Sequence, residues 1–354
     1  MIGVFNGNPV LISQSIPIYS LNEWIGRLQD PWEYSADGKE CFGFDTNTKV
    51  VLRGIAKGAL GIIEGGGYHG NLRNGAVRVG QTNQVKIVNS IYDVYLCANP
   101  VSMRKALIMI RGVFAVDDSN YEDVDAWVLL PNDLRTGMLK DLADFQKIVE
   151  DVVANNPCKT QLPKALGLFY KLCGLVNHVG SVDEVRELAF FIFHNPLFWT
   201  EVDRQIFTDL GWNIKRRVDK VCFNSNFPFN TQSTNMRGWQ RRVQRSGNPH
   251  LLNVLQFKSS KKKRPTRWRY PTKIYNQENG FFDFQRNSKA HYQDHVRLMS
   301  LMQIERELFV ALPHACSMFY YGLVELYLTR KQLFVSMFRA DLFTLLKEEP
   351  TPCK

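Results

Sequence analysis

The sequence predicts an α+β protein: a strand-rich N-terminal region, then a helical bundle, a basic irregular arm and C-terminal helices. Three observations carry this reading. Before residue 132, short runs rich in Val, Ile and Tyr alternate with turn-forming residues. From Asp133, apolar residues recur at helical spacing. Between Asn213 and Lys273 that periodicity gives way to Lys, Arg and turn formers. The expected segments are therefore 1–132, 133–212, 213–285 and 286–354, with the last packing on the bundle. A chain of 354 residues, 45% of them hydrophobic, can bury a core without disulfides or metals.

In the first region, Lys49–Ile55, Ala76–Val79, Gln84–Val88 and Ser90–Cys97 have strand composition. Asn74-Gly75 reads as a tight hairpin turn. Ser102–Arg111 reads as a helix and Asp125–Leu130 as one more strand.

The bundle opens with a stripe of Met138, Leu139, Leu142, Phe145, Ile148, Val149, Val152 and Val153, all on one helical face. Asn155-Asn156-Pro157 ends it. A second helix is expected over Pro163–His178, with Pro163 at its first turn and Gly180 past its end. Ser181 and Glu184 have capping-box spacing, which starts a third helix that stops before Pro196. A fourth fits Thr200–Leu210, closed by Gly211.

Residues 213–285 show no sustained period and are expected to be loops and a partly mobile arm. Asn287 or Ser288 is positioned to cap a helix carrying Val296, Met299, Met302 and Ile304. The uncharged run Leu308–Val324 is seventeen residues long and holds Pro313 and His314. It reads as two buried helices split near Pro313 rather than as a membrane span. A last helix carries Leu326, Leu333, Phe334, Met337, Leu345 and Leu346.

Charge is distributed very unevenly. Residues 1–212 hold 19 Lys+Arg and 24 Asp+Glu, and residues 274–354 hold nine of each. Residues 213–273 hold 16 Lys+Arg and the single acid Asp219. Such a segment cannot neutralise itself and presents a field that attracts a polyanion. Its cations form three clusters. Lys215, Arg216, Arg217 and Lys220 make the first; Arg237, Arg241, Arg242 and Arg245, around Trp239, make the second. Lys258, Lys261, Lys262, Lys263, Arg264, Arg267, Arg269 and Lys273, around Trp268 and Tyr270, make the third.

Lys and Arg release counterions from phosphates, and interleaved aromatics stack on unpaired bases. The expected partner is thus nucleic acid, with single-stranded or structured RNA ahead of DNA. Three other readings fit the same residues. An anionic membrane surface suits basic residues with interfacial Trp and Tyr, as in a membrane-associated matrix or scaffold protein. Lys261–Arg264 followed by Pro265 has the form of a nuclear-import signal. A solvated loop is the blandest. Basic, motif-poor chains of this size occur among viral nucleocapsid, matrix and accessory proteins, an analogy at class level only.

Enzyme signatures fail on context. Gly65, Gly67 and Gly70 match GxGxxG, but a dinucleotide site needs a helix to begin there, and the β-like Ala76–Val79 follows. Lys86 downstream gives the stretch a slight likeness to a kinase glycine loop, yet the catalytic Asp and the metal-binding motif of kinases have no counterpart. The glycines read as a tight turn. His291 and His295 share a helix face, and His314 with Cys316 would complete a zinc tetrad, with Asp294 orienting an imidazole. No tight CxxC or HExxH pair supports it. Asp117, Asp118, Glu122, Asp123 and Asp125 form an acidic loop without EF-hand spacing; it reads as solvated, or as a contact for the basic arm of a second copy in a homo-oligomer. A nucleic-acid-acting enzyme whose site assembles only in three dimensions is the remaining alternative. No cofactor is expected. Seven scattered cysteines without CxxC pairs, and no signal-peptide pattern, lead to the expectation of an intracellular protein, cytoplasmic or nuclear.

Overall fold

The computed structural model describes residues 2–5, 8–11, 19–35, 37–64, 67–73, 76–87, 131–217, 239–255, 280–290, 300–338 and 346. At 2–5, 8–11, 131–133, 217 and 338 it describes the backbone alone. Helix dominates, with small antiparallel sheets near the N-terminus, so the composition is α+β. The turn at Asn74-Gly75, the strands at Ser90–Cys97 and Asp125–Leu130 and the helix at Ser102–Arg111 lie outside the described residues.

The chain gathers into two compact units. The first takes the chain up to Glu33, then Phe44–Gln161 and Phe169–His194. Strands β1 (Ile2–Phe5) and β2 (Asn8–Leu11) pair antiparallel, with Ile2 opposite Leu11. Strand β3 (Tyr19–Ser20) leads into helix α1 (Leu21–Arg27), which is capped by a Ser20–Glu23 box. The hairpin β4 (Trp32–Tyr34) and β5 (Cys41–Phe44) gives its base to this unit and its tip to the other. At the base, Trp32 stacks on Phe44 at 4.8 Å, and its indole N–H donates to the Asn156 carbonyl at 2.7 Å.

Helix α2 (Thr46–Glu64) corrects the strand expected at Lys49–Ile55. Val51, Leu52, Ile55, Ala56, Ala59, Leu60 and Ile63 are buried. That is a helical stripe whose period, once followed past Ile55, outweighs β-branched composition. The Asp45 carboxylate starts the helix by accepting the Thr48 amide at 2.8 Å. Gly54 and Gly58 lie one turn apart on the face against strand β7 (Val85–Ile87). A Cβ at Gly54 would come 2.8 Å from Val85, and one at Gly58 2.5 Å from Ile87, so only glycine lets helix and strand approach this closely. Strand β6 (Val77–Val79) pairs with both β3 and β7; β6 and β7 fall within the runs Ala76–Val79 and Gln84–Val88 that have strand composition.

Helix α3 (Pro131–Asn155) carries the predicted stripe. Met138, Leu142, Phe145, Ile148, Val149 and Val152 are buried, and Leu139 and Val153 half-buried. Helix α4 (Lys164–Gly174) ends in a 3-10 turn over Leu175–His178. Helix α5 (Val182–Phe193) has the Ser181–Glu184 capping box, and its last six residues are buried.

The second unit holds Tyr34–Gly43, Leu162–Leu168 and the chain from Asn195. Helix α6 (Glu201–Arg217) passes through Gly211 instead of stopping there. A Cβ on Gly211 would lie 2.8 Å from Phe319 and 3.0 Å from Phe282, so the glycine admits neighbouring rings rather than capping the helix. Helices α7 (Trp239–Ser246) and α8 (Pro249–Leu255) stand where loops were expected. Helix α9 (Gly280–Ala290) takes in Asn287 and Ser288 as interior residues. The cap actually used downstream is a Ser300–Gln303 box on α10 (Leu301–Ala311). The split near Pro313 is present: α11 (Ala315–Thr329) follows, and Arg330 separates it from α12 (Lys331–Phe338), where one helix was expected. No described helix is long and apolar enough to cross a membrane.

Candidate functional site

The second unit places part of the basic segment. Lys215, Arg216 and Arg217 form the last turn of α6, where cations complement the helix dipole. Lys215 is paired with Asp283 at 2.6 Å. Helix α7 is amphipathic, with Trp239 and Val243 buried and Arg241 and Arg245 exposed one turn apart. Arg242 is half-buried, 3.6 Å from the Glu40 carboxylate.

Trp239 is not a base-stacking platform. It is 4% exposed, and its ring lies 5.9 Å from Phe281 and 5.0 Å from Phe284. Its hydrophobic area is spent on the core, which corrects the expectation that it stacks on unpaired bases. Arg237, Lys258, Lys261, Lys262, Lys263, Arg264, Arg267, Trp268, Arg269, Tyr270 and Lys273 lie outside the described residues.

One aromatic escaped the sequence reading. Trp212 on α6 is half-buried, with the Arg216 guanidinium 4.7 Å and the Arg286 guanidinium 4.5 Å from its ring centroid. The Trp212–Arg216 spacing of four is the signal that could have found the first contact, had α6 been carried past Gly211. Arg286 comes from α9, which no sequence spacing links to Trp212.

Gly67 and Gly70 of the glycine motif serve the fold, and Gly65 lies outside the described residues. Gly67 follows the end of α2, and its amide donates to the Ile62 carbonyl at 3.0 Å, a helix C-cap rather than a helix start. Gly70 takes the left-handed conformation at φ +75°. The amides of His69 and Gly70 both donate to the Asp141 carboxylate of α3, at 2.5 and 2.7 Å. The cradle that phosphate occupies in other glycine loops is thus filled by a carboxylate of this chain. Burial pushes the Asp141 carboxyl up to about 6 despite these two hydrogen bonds. The folded state therefore holds this proton more tightly than the unfolded chain does, and stability gains at this site as pH falls from 7 towards 4. Relative to Asp141→Asn, the wild type should gain on the order of 2 kcal/mol over that range. Urea denaturation of both proteins at several pH values checks it; parallel pH profiles would refute the assignment.

Of the zinc candidates, His291 and His295 lie outside the described residues. His314 is 6% exposed and its Nε2 lies 3.3 Å from the Glu40 carboxylate. Burial pushes its pKa down to about 4, so the imidazole is neutral at pH 7 and Nε2–H donates to Glu40. Its Nδ1 is buried with no partner among the described residues. Burial raises the Cys316 thiol to about 12, so it is no thiolate at neutral pH. Among the described residues, no group of three or more His, Cys, Asp or Glu side chains is placed to hold a metal.

No protein-family model, curated protein or solved structure matches this chain.

Proposed function

We propose that this chain is a non-enzymatic nucleic-acid-binding protein that takes single-stranded or structured RNA ahead of DNA through residues 213–273. The observation that carries the reading is the 16 Lys+Arg against one Asp in that segment, in a chain whose other parts are acidic or neutral. The exposed Arg216, Arg241 and Arg245 support it, because a helix-borne guanidinium meets a phosphate with little further ordering. With Trp239 in the core, stacking falls to the remaining aromatics of the segment.

Protein purified from cells should carry 260 nm absorbance that nuclease removes. Binding to a labelled single strand should weaken by roughly 300-fold between about 50 and 200 mM salt if six phosphates are neutralised. Neutralising Lys261, Lys262, Lys263, Arg264, Arg267 and Arg269 together should abolish most of that slope and leave the melting temperature unchanged. A salt-independent affinity, or wild-type protein that floats with anionic vesicles and ignores RNA, would overturn the proposal in favour of a membrane surface.

A further inference from the structure

The inference here rests on the nucleic-acid reading above and joins one residue of that segment to a second residue outside it, both carried by folded helices. We propose that Arg216 and Arg286, held over the ring of Trp212, form a phosphate clamp for a single nucleic-acid strand.

Among the described residues the local charge is uncompensated. Lys215 is neutralised by Asp283. Neither Arg216 nor Arg286 pairs with a described carboxylate, although the contacts to one ring hold both guanidiniums within roughly 9 Å of each other. Two like charges at that distance repel, and both gain from an anion that reaches their outer edges.

The two arginines differ in what else explains them. Arg216 is exposed in the last turn of α6, where the helix dipole favours a cation. Arg286 lies inside α9 and has no such support. Its Nη1 makes a long contact of 3.4 Å to Asn287 Oδ1, and its Nε is out of solvent with no partner among the described residues. Most of its guanidinium donors are thus unclaimed by the described residues.

The chemistry favours phosphate. A guanidinium resting on an aromatic ring still has N–H donors at its edge, and these match phosphate oxygens in a bidentate fork. The half-buried indole carries both guanidiniums on its ring and so limits the ordering that phosphate binding would cost. Arg216 is also one residue from the end of α6, within the first cluster of the basic segment.

The test uses the full chain and a labelled oligouridylate of about 12 nucleotides, followed by fluorescence anisotropy across a salt series. Arg216→Gln combined with Arg286→Gln should weaken binding roughly ten-fold or more at about 100 mM salt, and make the slope of log affinity against log salt shallower by about 1.4. A variant that melts like the wild type and keeps its slope would overturn the clamp and leave the proposed function standing. Wild-type protein that fails to bind the oligonucleotide at any salt would instead overturn the proposed function. Arg216→Lys combined with Arg286→Lys guards against misfolding. It keeps both charges, so the slope should hold while affinity falls several-fold for want of the fork. Unchanged affinity in that variant would also refute the clamp.

Discussion

Trp239→Ala is expected to lower stability by about 3–5 kcal/mol while leaving RNA affinity unchanged in the molecules that remain folded. The residue sits in a basic, aromatic stretch, so a sequence-guided mutagenesis would take any loss of binding as loss of a stacking platform. Its surroundings argue otherwise. The ring is tucked against Phe281 and Phe284, with Val243 buried one turn on. Helix α7 is only eight residues long, too short to persist without such packing. Removing the ring leaves a large void beneath α7, while Arg241 and Arg245 stay exposed on its outer face in the molecules that remain folded. Denaturant titration measures the first effect; anisotropy at a denaturant-free temperature well below the melt measures the second. A Trp239→Ala protein that unfolds like the wild type yet loses single-strand binding would restore the stacking reading.

What could be read from the sequence divides along physical lines. Helices α3 and α5 were legible because their apolar residues repeat over several turns, and Ser181 with Glu184 states the start of α5 in local terms. Helix α2 was misread because Lys49–Ile55 alone has strand composition; the decisive residues Ala56, Ala59, Leu60 and Ile63 come afterwards. Helices α7 and α8, of eight and seven residues, are shorter than the window over which a period can be recognised. The candidate site was legible as charge and illegible as geometry. Nothing local to Lys215 or Arg242 announces that Asp283 and Glu40 neutralise them, because those partners are distant in sequence. Arg216 with Arg286 at Trp212 is missed for the same reason, since two helices must fold before the three side chains meet.

Lys289→Met is the second substitution expected to cost about 3–5 kcal/mol, because it strips the cation from a buried carboxylate. Lys289 is 8% exposed and Glu305 1%, and their charged atoms are 2.9 Å apart. The approach is that of an ion pair rather than of a well-aligned hydrogen bond to Glu305 Oε2. Asp209 lies 3.6 Å from the same ammonium, which also donates to the Gln205 carbonyl at 3.2 Å and to the Thr208 hydroxyl. One lysine of α9 thereby ties together α6 and α10, the two helices it reaches across. Methionine keeps the stem's volume and apolar contacts, so the loss reports on charge and hydrogen bonding rather than on a cavity. A carboxylate left in that site cannot recover its hydration, which is why breaking one partner costs far more than the pair contributes. The same reasoning predicts a rescue. Adding Glu305→Gln to Lys289→Met removes the stranded charge and should restore at least half of the lost stability, giving a coupling energy of roughly 2 kcal/mol in a double-mutant cycle. Urea denaturation of the wild type, both single variants and the double variant measures all four corners. Losses that simply add would show that Lys289 and Glu305 act independently, and that α9 is held by its aromatic face of Phe281, Phe282 and Phe284 alone.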